Sequence, residues 1–427
     1  MGNVETRVFG PATWLLSLLR LLFAVLRAVL ADGWSEIEPL RGEWLDICRN
    51  APNATPFADP DFCKLWLKHR VPSAIPRVVM LKDDQGRPQA LAPLCIAPTR
   101  KSGLTIKRLR FMVAVSWLDS DFLLMHPGAG AVPDVLAAAT VNCDFDMLDL
   151  FAIPCSSPSL PAIEVFGARK GYTLGYLRPP RWTNSLVSLD GTWEDYLARR
   201  SARTRYVMRR VDRKMGRCGS AEIEKSGGPD GLEGSLSTLE CIVAKSWKDP
   251  SSYLRGGFWR EFIELMSEKG LLSLYILRID DRPAAFVVLL RHHKTIYWMQ
   301  TAYDSDYAHL SPGTYLTTKA MRDCFQHKSL ETTMDFLTTY PFLERLADST
   351  QSRLRVRCFP KNPRGRLLSV AFRLSDGLRR RRLLRNRERG LGCVQGRARG
   401  RPDGDEWKVL GKQEEENREA AGEGLEG

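Results

Sequence analysis

Paired metal-binding residues are absent from this 427-residue sequence. Its ten cysteines and six histidines are scattered singly, with no CxxC pair and no HExxH pattern. Neither a structural zinc site nor a metalloprotease site can be argued, so we predict no metal site. Cys95, Cys143 and Cys324 lie inside apolar runs, where a reduced thiol serves as a small core side chain. This use of cysteine indicates a reducing compartment, the cytoplasm.

An uninterrupted apolar run long enough to cross a membrane is also missing. The N-terminal run from Trp14 to Ala31 is broken by Arg20 and Arg27, which share one helix face. A central arginine costs on the order of 3 kcal/mol in a bilayer, which disfavours a transmembrane helix. Over residues 1–33 we predict an amphipathic helix lying on a partner protein or peripherally on the inner face of a membrane. A signal peptide, a packed helix and sequence upstream of the true start are the alternatives.

Acidic residues are nearly absent from residues 379–401, which hold ten arginines against Glu388 alone. The chain then becomes rich in Glu and Gly, and its formal net charge is +13. Such a block cannot bury a core, so we predict a disordered tail over 379–427. The positive charge favours anionic partners such as nucleotides, tRNA or lipid headgroups. A solvated tail with no specific partner is the alternative.

An internal repeat organises the sequence between these ends. Its landmarks recur in the same order at an offset of 185 or 186 residues. The matched landmarks are Asp119 and Asp304, Pro127-Gly128 and Pro312-Gly313, and Asp149 and Asp335. Each half has the pattern of a strand meander, a loop, a helix and further strands. We predict an α+β fold of two tandem domains, 34–178 and 179–378, each a mixed, mostly antiparallel sheet flanked by helices.

The second half has the clearer pattern for binding. Three β-rich runs between residues 271 and 302 predict a meander. A loop then leads into an amphipathic pattern over 314–326, which predicts a helix with Ser311 as its cap and Pro312 in its first turn. Free N–H groups and the positive end of a helix dipole commonly hold phosphate at such a start. A turn without a ligand is the structural alternative.

The segment Tyr303 to Gly313, with Asp335-Phe336-Leu337 downstream, resembles the GNAT-related acyltransferases of the CelD/BcsL type. These are tandem-GNAT proteins related to the Fem-type aminoacyl transferases. The resemblance covers roughly residues 35–360 and includes Thr55-Pro56-Phe57 and Trp66. It implies two GNAT-like domains, with the acyl-CoA site in the second and a structural or acceptor-side first domain.

The resemblance also implies the chemistry. The donor is acetyl-CoA or another acyl-CoA, the acceptor an amine or less often a hydroxyl, and the context polysaccharide (for example cellulose or exopolysaccharide) or cell-envelope biosynthesis. The cofactor pyrophosphate is expected at Leu310, Ser311, Gly313 and Thr314. The family's usual phosphate-loop pattern, Arg/Gln-x-x-Gly-x-Gly/Ala, is absent here.

Three residues are candidates for catalysis. Forming an amide requires a base for the acceptor amine and a proton for the leaving thiolate. Asp335, predicted at a strand end beside the cleft, is the candidate base. Tyr303 or Tyr307 is the candidate proton donor. The structural alternatives are a loop cap for Asp335 and a core ring for either tyrosine.

A basic helix is predicted over 199–217, which holds nine basic residues against Asp212. Met208, Val211 and Met215 have helical spacing and should pack inward. The outer face suits the 3′-phosphate of CoA, an acidic glycan or a tRNA backbone, and a solvated face is the alternative.

The sequence therefore predicts a GNAT-type N-acyltransferase that uses acetyl-CoA. Two alternatives stay open. One is a Fem-like transferase that depends on aminoacyl-tRNA; the other is a non-catalytic partner of a membrane polysaccharide synthase, docked through its N-terminal helix. DNA is not an expected partner.

Overall fold

A computed structural model describes residues 26–101, 103–126, 128–177, 182–246 and 257–377. The strands in these ranges are β1 (Arg27–Asp32), β2 (Ile75–Lys82), β3 (Pro88–Lys101), β4 (Leu104–Phe111), β5 (Leu123–Leu124), β6 (Met147–Pro154), β7 (Thr173–Leu177), β8 (Thr183–Ser188), β9 (Ala221–Ser226), β10 (Leu272–Ile279), β11 (Arg282–His292), β12 (Thr295–Tyr303), β13 (Thr333–Asp335) and β14 (Ser349–Phe359).

The helices lie on both faces of these strands. They are α1 (Gly33–Ile37), α2 (Arg41–Asn50), α3 (Pro60–Arg70), α4 (Val132–Ala139), α5 (Ser159–Lys170), α6 (Trp193–Arg199), α7 (Ala202–Met215), α8 (Leu232–Ala244), α9 (Phe258–Glu268), α10 (Pro312–Gln326), α11 (Pro341–Glu344) and α12 (363–377). Short 3-10 turns cover Glu38–Leu40, Pro56–Ala58, Ala129–Ala131 and Ser305–Leu310.

The fold is α+β, as predicted: one large, mostly antiparallel sheet flanked by helices. Its order is β1-β2-β3-β4-β6-β14-β8-β13-β12-β11-β10-β9, with β5 beside β3 and β7 beside β14. The repeat is visible in the topology. In the first half β2, β3 and β4 form a meander, α4 follows, and β6 lies parallel to β4. In the second half β10, β11, β12, α10 and β13 repeat this arrangement.

The C-terminal strand β14 does not stay within its own half. Residues Arg353–Phe359 pair with β6 and β7 of the first half, whereas Ser349–Ser352 pair with β8. Strand β14 therefore joins the two halves into one sheet. The predicted boundary at residue 178 divides the repeats along the chain but does not separate them in space.

Three large apolar cores support this sheet. One is shared, because α2 and α3 of the first half pack with α8 and α9 of the second half on one face. The second lies mainly in the first half but includes Trp182 and the β14 residues Leu354, Val356 and Cys358, whereas the third belongs to the second half. Cys95 and Cys324 are buried as predicted, whereas Cys143 is only half-buried.

Both predicted terminal segments lie largely outside the described residues. Residues 1–25 and 378–427 fall there, so most of the N-terminal helix and the whole tail stay predictions. The prediction was wrong for Arg27–Asp32, which pairs with β2 as β1, because edge pairing overrides local helical pattern. Among the described helices, none combines the length and apolar character needed to span a bilayer.

Candidate functional site

Strands β12 and β13 run parallel for three residue pairs and then separate. The last pair is Tyr297 with Asp335. Immediately beyond it β12 has a bulge, since Trp298 and Gln300 oppose consecutive residues of β11 and Met299 is extra. No described strand pairs with this side of β12 from Trp298 onward. We call the resulting gap, between β12 and residues 336–339, the β12/β13 opening; alternate N–H groups of β12 face it.

The wide end of the opening leads into the predicted phosphate loop. Asp304 is buried, accepts a hydrogen bond from the Asp306 N–H (3.0 Å) and forms an ion pair with Lys245 (3.3 Å). Residues Ser305–Leu310 form the 3-10 turn, and α10 begins at Pro312. The contacts of Asp304 thus hold the start of the loop, and a fifteen-residue helix follows the loop directly.

Ser311 does not cap α10 in the way the sequence predicts. It occupies the position before the helix, but its side chain makes no capping hydrogen bond. Its backbone is left-handed, with φ 59° and ψ 50°. Its carbonyl accepts a hydrogen bond from the Tyr315 N–H (3.1 Å), so the backbone, rather than the hydroxyl, starts the helix.

The four predicted cofactor residues lie together at this junction with both tyrosines. Tyr303, Tyr307 and Leu310 pack partly buried against the α10 face of the sheet. Gly313 is buried, and a Cβ there would lie 3.2 Å from the Tyr303 ring, so a larger residue would require the ring to shift by a few tenths of an ångström. Burial raises the pKa of the Tyr303 phenol. The N–H groups of Gly313 and Thr314 lie in the first turn, where a helix has no partner for them.

Asp335 lies at the narrow end, in a buried polar cluster. Its carboxylate accepts hydrogen bonds from Asn184 Nδ2 (2.8 Å) and from the Leu337 N–H (2.6 Å). The side-chain carbonyl of Asn184 accepts a hydrogen bond from the guanidinium of Arg353. This guanidinium is 0% exposed and also donates to Asp119. We call Asp335, Asn184, Arg353 and Asp119 the Asp335 cluster. It draws on both halves of the molecule.

The cluster leaves Asp335 able to exchange a proton near neutral pH. Burial raises its pKa to about 6, and the charge of Asp119 acts in the same direction against the opposing effect of Arg353. Tyr297 lies alongside, where burial and then Asp335 raise the pKa of its phenol. No ion pair to Asp335 is found among the described residues. A carboxyl with a pKa close to the working pH suits a general base.

The equivalent carboxylate of the first half, Asp149, has a different environment. Arg355 donates to both of its oxygens and Arg108 adds a further hydrogen bond of 3.2 Å. Although burial acts to raise it, these guanidinium groups hold the pKa of Asp149 well below its usual range. Ion pairs therefore occupy the position in the first half where the second half holds a carboxyl of raised pKa.

The structure does not bring Asp335 and the two tyrosines to one point. Asp335 pairs with Tyr297, six residues before Tyr303 on the same strand. At the rise of a β-strand that separation is roughly 20 Å. The carboxyl lies at the narrow end of the opening, and Tyr303 and Tyr307 lie at the loop.

Sequence reasoning missed Arg353, Asn184 and Tyr297. The usable signal was indirect: Asp149 and Asp335 are carboxylates that recur at matching positions after apolar strand residues, and a buried carboxylate needs polar or charged partners. Arginines 353, 355 and 357 alternate along β14 and are all buried. Matching donors to acceptors required the long-range register of β14.

The basic helix α7 packs beside the loop, with Met208, Val211 and Met215 buried as predicted. Lys214 donates to the carbonyl of His309 in the 3-10 turn (2.9 Å). The outer face carries exposed arginines that form no ion pair in the described part of the chain. They are Arg203, Arg209 and Arg213 on the helix and Arg217 just after its end.

Comparisons with known proteins agree with this topology. Residues 202–342, about a third of the chain, match the family described as an acetyltransferase (GNAT) domain. No curated protein sequence matches the chain.

The chain is similar to FemX, with 13% identity and a TM-score of 0.52 over 74% of this chain and 95% of that one. It is also similar to a tandem GNAT protein from the clavulanic acid biosynthesis pathway, with 14% identity and a TM-score of 0.43 over 77% of this chain and 98% of that one. At this identity the similarity to FemX shows a shared fold.

Proposed function

We propose that the chain is an N-acyltransferase that takes an acyl group from acyl-CoA, with acetyl-CoA as the first candidate, and passes it to an amine or, less often, a hydroxyl. The observation that carries the proposal is the β12/β13 opening. It runs from a carboxyl with a pKa of about 6 at Asp335 to a helix N-terminus at Gly313. The GNAT-domain match over residues 202–342 includes both ends.

In this proposal the pyrophosphate of CoA binds at Leu310, Ser311, Gly313 and Thr314. The free N–H groups of the first turn and the α10 dipole attract its negative charge. The 3′-phosphate then falls toward the exposed arginines of α7, which packs beside the loop. Since arginine binds phosphate through paired N–H donors, this face suits that group.

The pantetheine arm follows β12 toward the narrow end. Its roughly twelve bonds reach about 15 Å when extended. From Tyr303 back to the bulge at Met299 is four residues, or roughly 13 Å of strand. The thioester therefore arrives at the bulge, close to Asp335, where free N–H groups can polarise its carbonyl.

Acyl transfer follows from this placement. The acceptor amine loses a proton to Asp335, directly or through water, and attacks the thioester carbonyl. The C–N bond forms, the C–S bond breaks, and the thiolate takes up the proton that Asp335 received, directly or through water. Tyr303 and Tyr307 lie at the pyrophosphate end, too far away to supply that proton, so the proposal assigns them to donor binding.

The Fem-like alternative has one specific observation in its favour: the exposed arginine face of α7, which also suits a tRNA backbone. Binding of this kind weakens steeply with salt. Comparing acetyl-CoA with aminoacyl-tRNA binding at physiological salt separates the two donors. The resemblance to CelD/BcsL proteins suggests an amino group of a polysaccharide or cell-envelope precursor as acceptor.

Turnover tests the proposal directly. The full chain is incubated with acetyl-CoA and a panel of amino sugars, polyamines and amino acids, and acetylated products are measured by mass spectrometry. We expect an acetylated amine whose formation falls at least about 100-fold in Asp335→Asn. The surface variant Asp144→Asn is the matched control. Product formed equally by Asp335→Asn, or product formed from aminoacyl-tRNA alone, would contradict the proposal.

A further inference from the structure

Helix α12 carries two apolar faces. One face is buried, since Leu368 and Phe372 pack against the ends of β4, β6 and β14. The other face presents Leu367, Val370 and Leu374, which are 65%, 55% and 65% exposed. These three residues have the spacing i, i+3, i+7 and form one continuous row, which we call the apolar stripe. Nothing in the described ranges covers it.

Arginines border the apolar stripe on both sides. At about 100° per residue, Arg364 falls on one side and Arg366 and Arg373 on the other. Arg364 is bound to Asp146 (2.7 Å) and to the Thr105 carbonyl. Arg366 and Arg373 are exposed and form no ion pair within the described residues.

The acidic residue of the helix does not offset this charge. Asp376 faces inward and pairs with Arg357 of β14 (2.6 Å). Just beyond α12 the sequence enters the block 379–401, with ten arginines and one glutamate. The outer face of the helix is therefore apolar along its centre and cationic at its margins, and the sequence that follows the helix is rich in arginine.

We propose that the outer face of α12 is a docking surface for an anionic lipid bilayer. Leu367, Val370 and Leu374 enter the boundary between headgroups and acyl chains, and the arginines contact lipid phosphates. An amphipathic helix with this distribution of residues lies in the plane of a membrane interface. The inference is independent of the acyltransferase proposal.

Charge and apolarity together select this occupant. A second copy of the chain carries the same net charge of +13 and would bring arginine against arginine. An RNA backbone would satisfy the arginines but leave three large apolar side chains in water. A bilayer with anionic lipids offers phosphate groups to the arginines and hydrocarbon to the three apolar side chains.

The test is vesicle co-sedimentation of the full chain. The vesicles contain phosphatidylcholine with about a quarter phosphatidylglycerol, and pure phosphatidylcholine vesicles serve as the neutral comparison. We expect the wild type to bind the anionic vesicles. The double variant Leu367→Gln/Leu374→Gln should bind at least about tenfold more weakly, because two insertions are lost. Arg366→Gln/Arg373→Gln should lose about fivefold per arginine.

The matched control is Leu330→Gln, which changes a side chain that is 74% exposed before β13, away from α12. It should bind as the wild type does, and all variants should melt at the wild-type temperature because the changed positions are on the surface. Equal binding by the leucine double variant would overturn the proposal and assign any membrane contact to another segment, such as residues 14–31. A wild-type dimer that this variant dissociates, without vesicle binding, would overturn it in favour of a second copy.

Discussion

At the scale of single residues, Asp335 and Asp149 are related by the internal repeat but differ in their neighbours. Both follow apolar strand residues and occupy matching positions in the repeat. Asp149 is neutralised by buried guanidinium groups, whereas Asp335 accepts hydrogen bonds from an amide side chain and a backbone N–H. The same residue type thus has opposite pKa shifts because its charged neighbours differ.

The raised pKa of Asp335 makes folding stability depend on pH. Between its unfolded value of 3.8 and about 6 the folded chain binds a proton that the unfolded chain does not. Stability from this group is therefore present at low pH and is lost as pH rises toward and through 6. We expect the stability of the wild type relative to Asp335→Asn to fall from about pH 4.5 to about pH 7.5 in urea unfolding.

Asp144→Asn is the control for this measurement, because the carboxyl is exposed and its pKa lies below the window. Its difference from the wild type should stay constant over the same pH range. A constant difference for Asp335→Asn as well would contradict the raised pKa.

Only part of the Asp335 cluster can be predicted from the sequence. Asp335 is identifiable because it recurs at a fixed offset in a repeat. Arg353 and Asn184 are not, since each meets Asp335 or Asp119 across more than 150 residues of chain. Local pattern contains no information about such a pairing.

At the scale of elements, helix α10 is predicted correctly, but the way in which its first turn is capped is not. Proline in the first turn fixes the helix start, and the pattern over 314–326 gives its length. The residue before it is a serine, the usual capping residue, yet its side chain does not cap. Hydrogen-bond geometry at a helix end depends on the incoming loop, which sequence pattern does not specify.

Ser311 provides a test of this point. A left-handed backbone favours glycine, so we expect Ser311→Gly to be as stable as the wild type or more so, by up to about 1 kcal/mol. Ser311→Ala should change the free energy of unfolding by less than about 0.5 kcal/mol. Urea unfolding measures both. A loss of about 1 kcal/mol in Ser311→Ala with no gain in Ser311→Gly would indicate a capping side chain instead.

At the scale of the whole molecule, two repeats form one sheet. The repeat itself is readable from landmark spacing, and the fold class follows from it. The pairing of β14 with strands of the first half cannot be predicted from the sequence, because a strand of suitable pattern can pair with any open edge. Strand β14 joins β6 to β8, and the shared core of α2, α3, α8 and α9 covers one face of the joined sheet.

The position of β14 makes the halves dependent on each other. A chain ending at Asp348 lacks the strand between β6 and β8, so we expect it to be insoluble or to lack cooperative unfolding. A chain ending at Gly377 keeps every described element and should unfold cooperatively, as followed by circular dichroism. A soluble, cooperatively folding chain that ends at Asp348 would show that the halves are independent domains.

Thermal unfolding with acetyl-CoA measures whether acyl-CoA binds along the β12/β13 opening. At about 100 times its Kd the ligand should add about 2.7 kcal/mol of stability to the wild type. Gly313→Asp should lose this gain, because the carboxylate would occupy the pyrophosphate site and repel its negative charge. The helix itself should not be weakened, since an acidic residue in the first turn is favourable. Gly313→Ala controls for contact with the Tyr303 ring.

The repeat supplies a second control in Gly128→Asp, the same change in the matching Pro-Gly of the first half, where a Cβ meets nothing within 4 Å. We predict that this variant and the wild type are stabilised equally by acetyl-CoA, while Gly313→Asp is not stabilised. No stabilisation of the wild type, or equal stabilisation of both aspartate variants, would contradict the account.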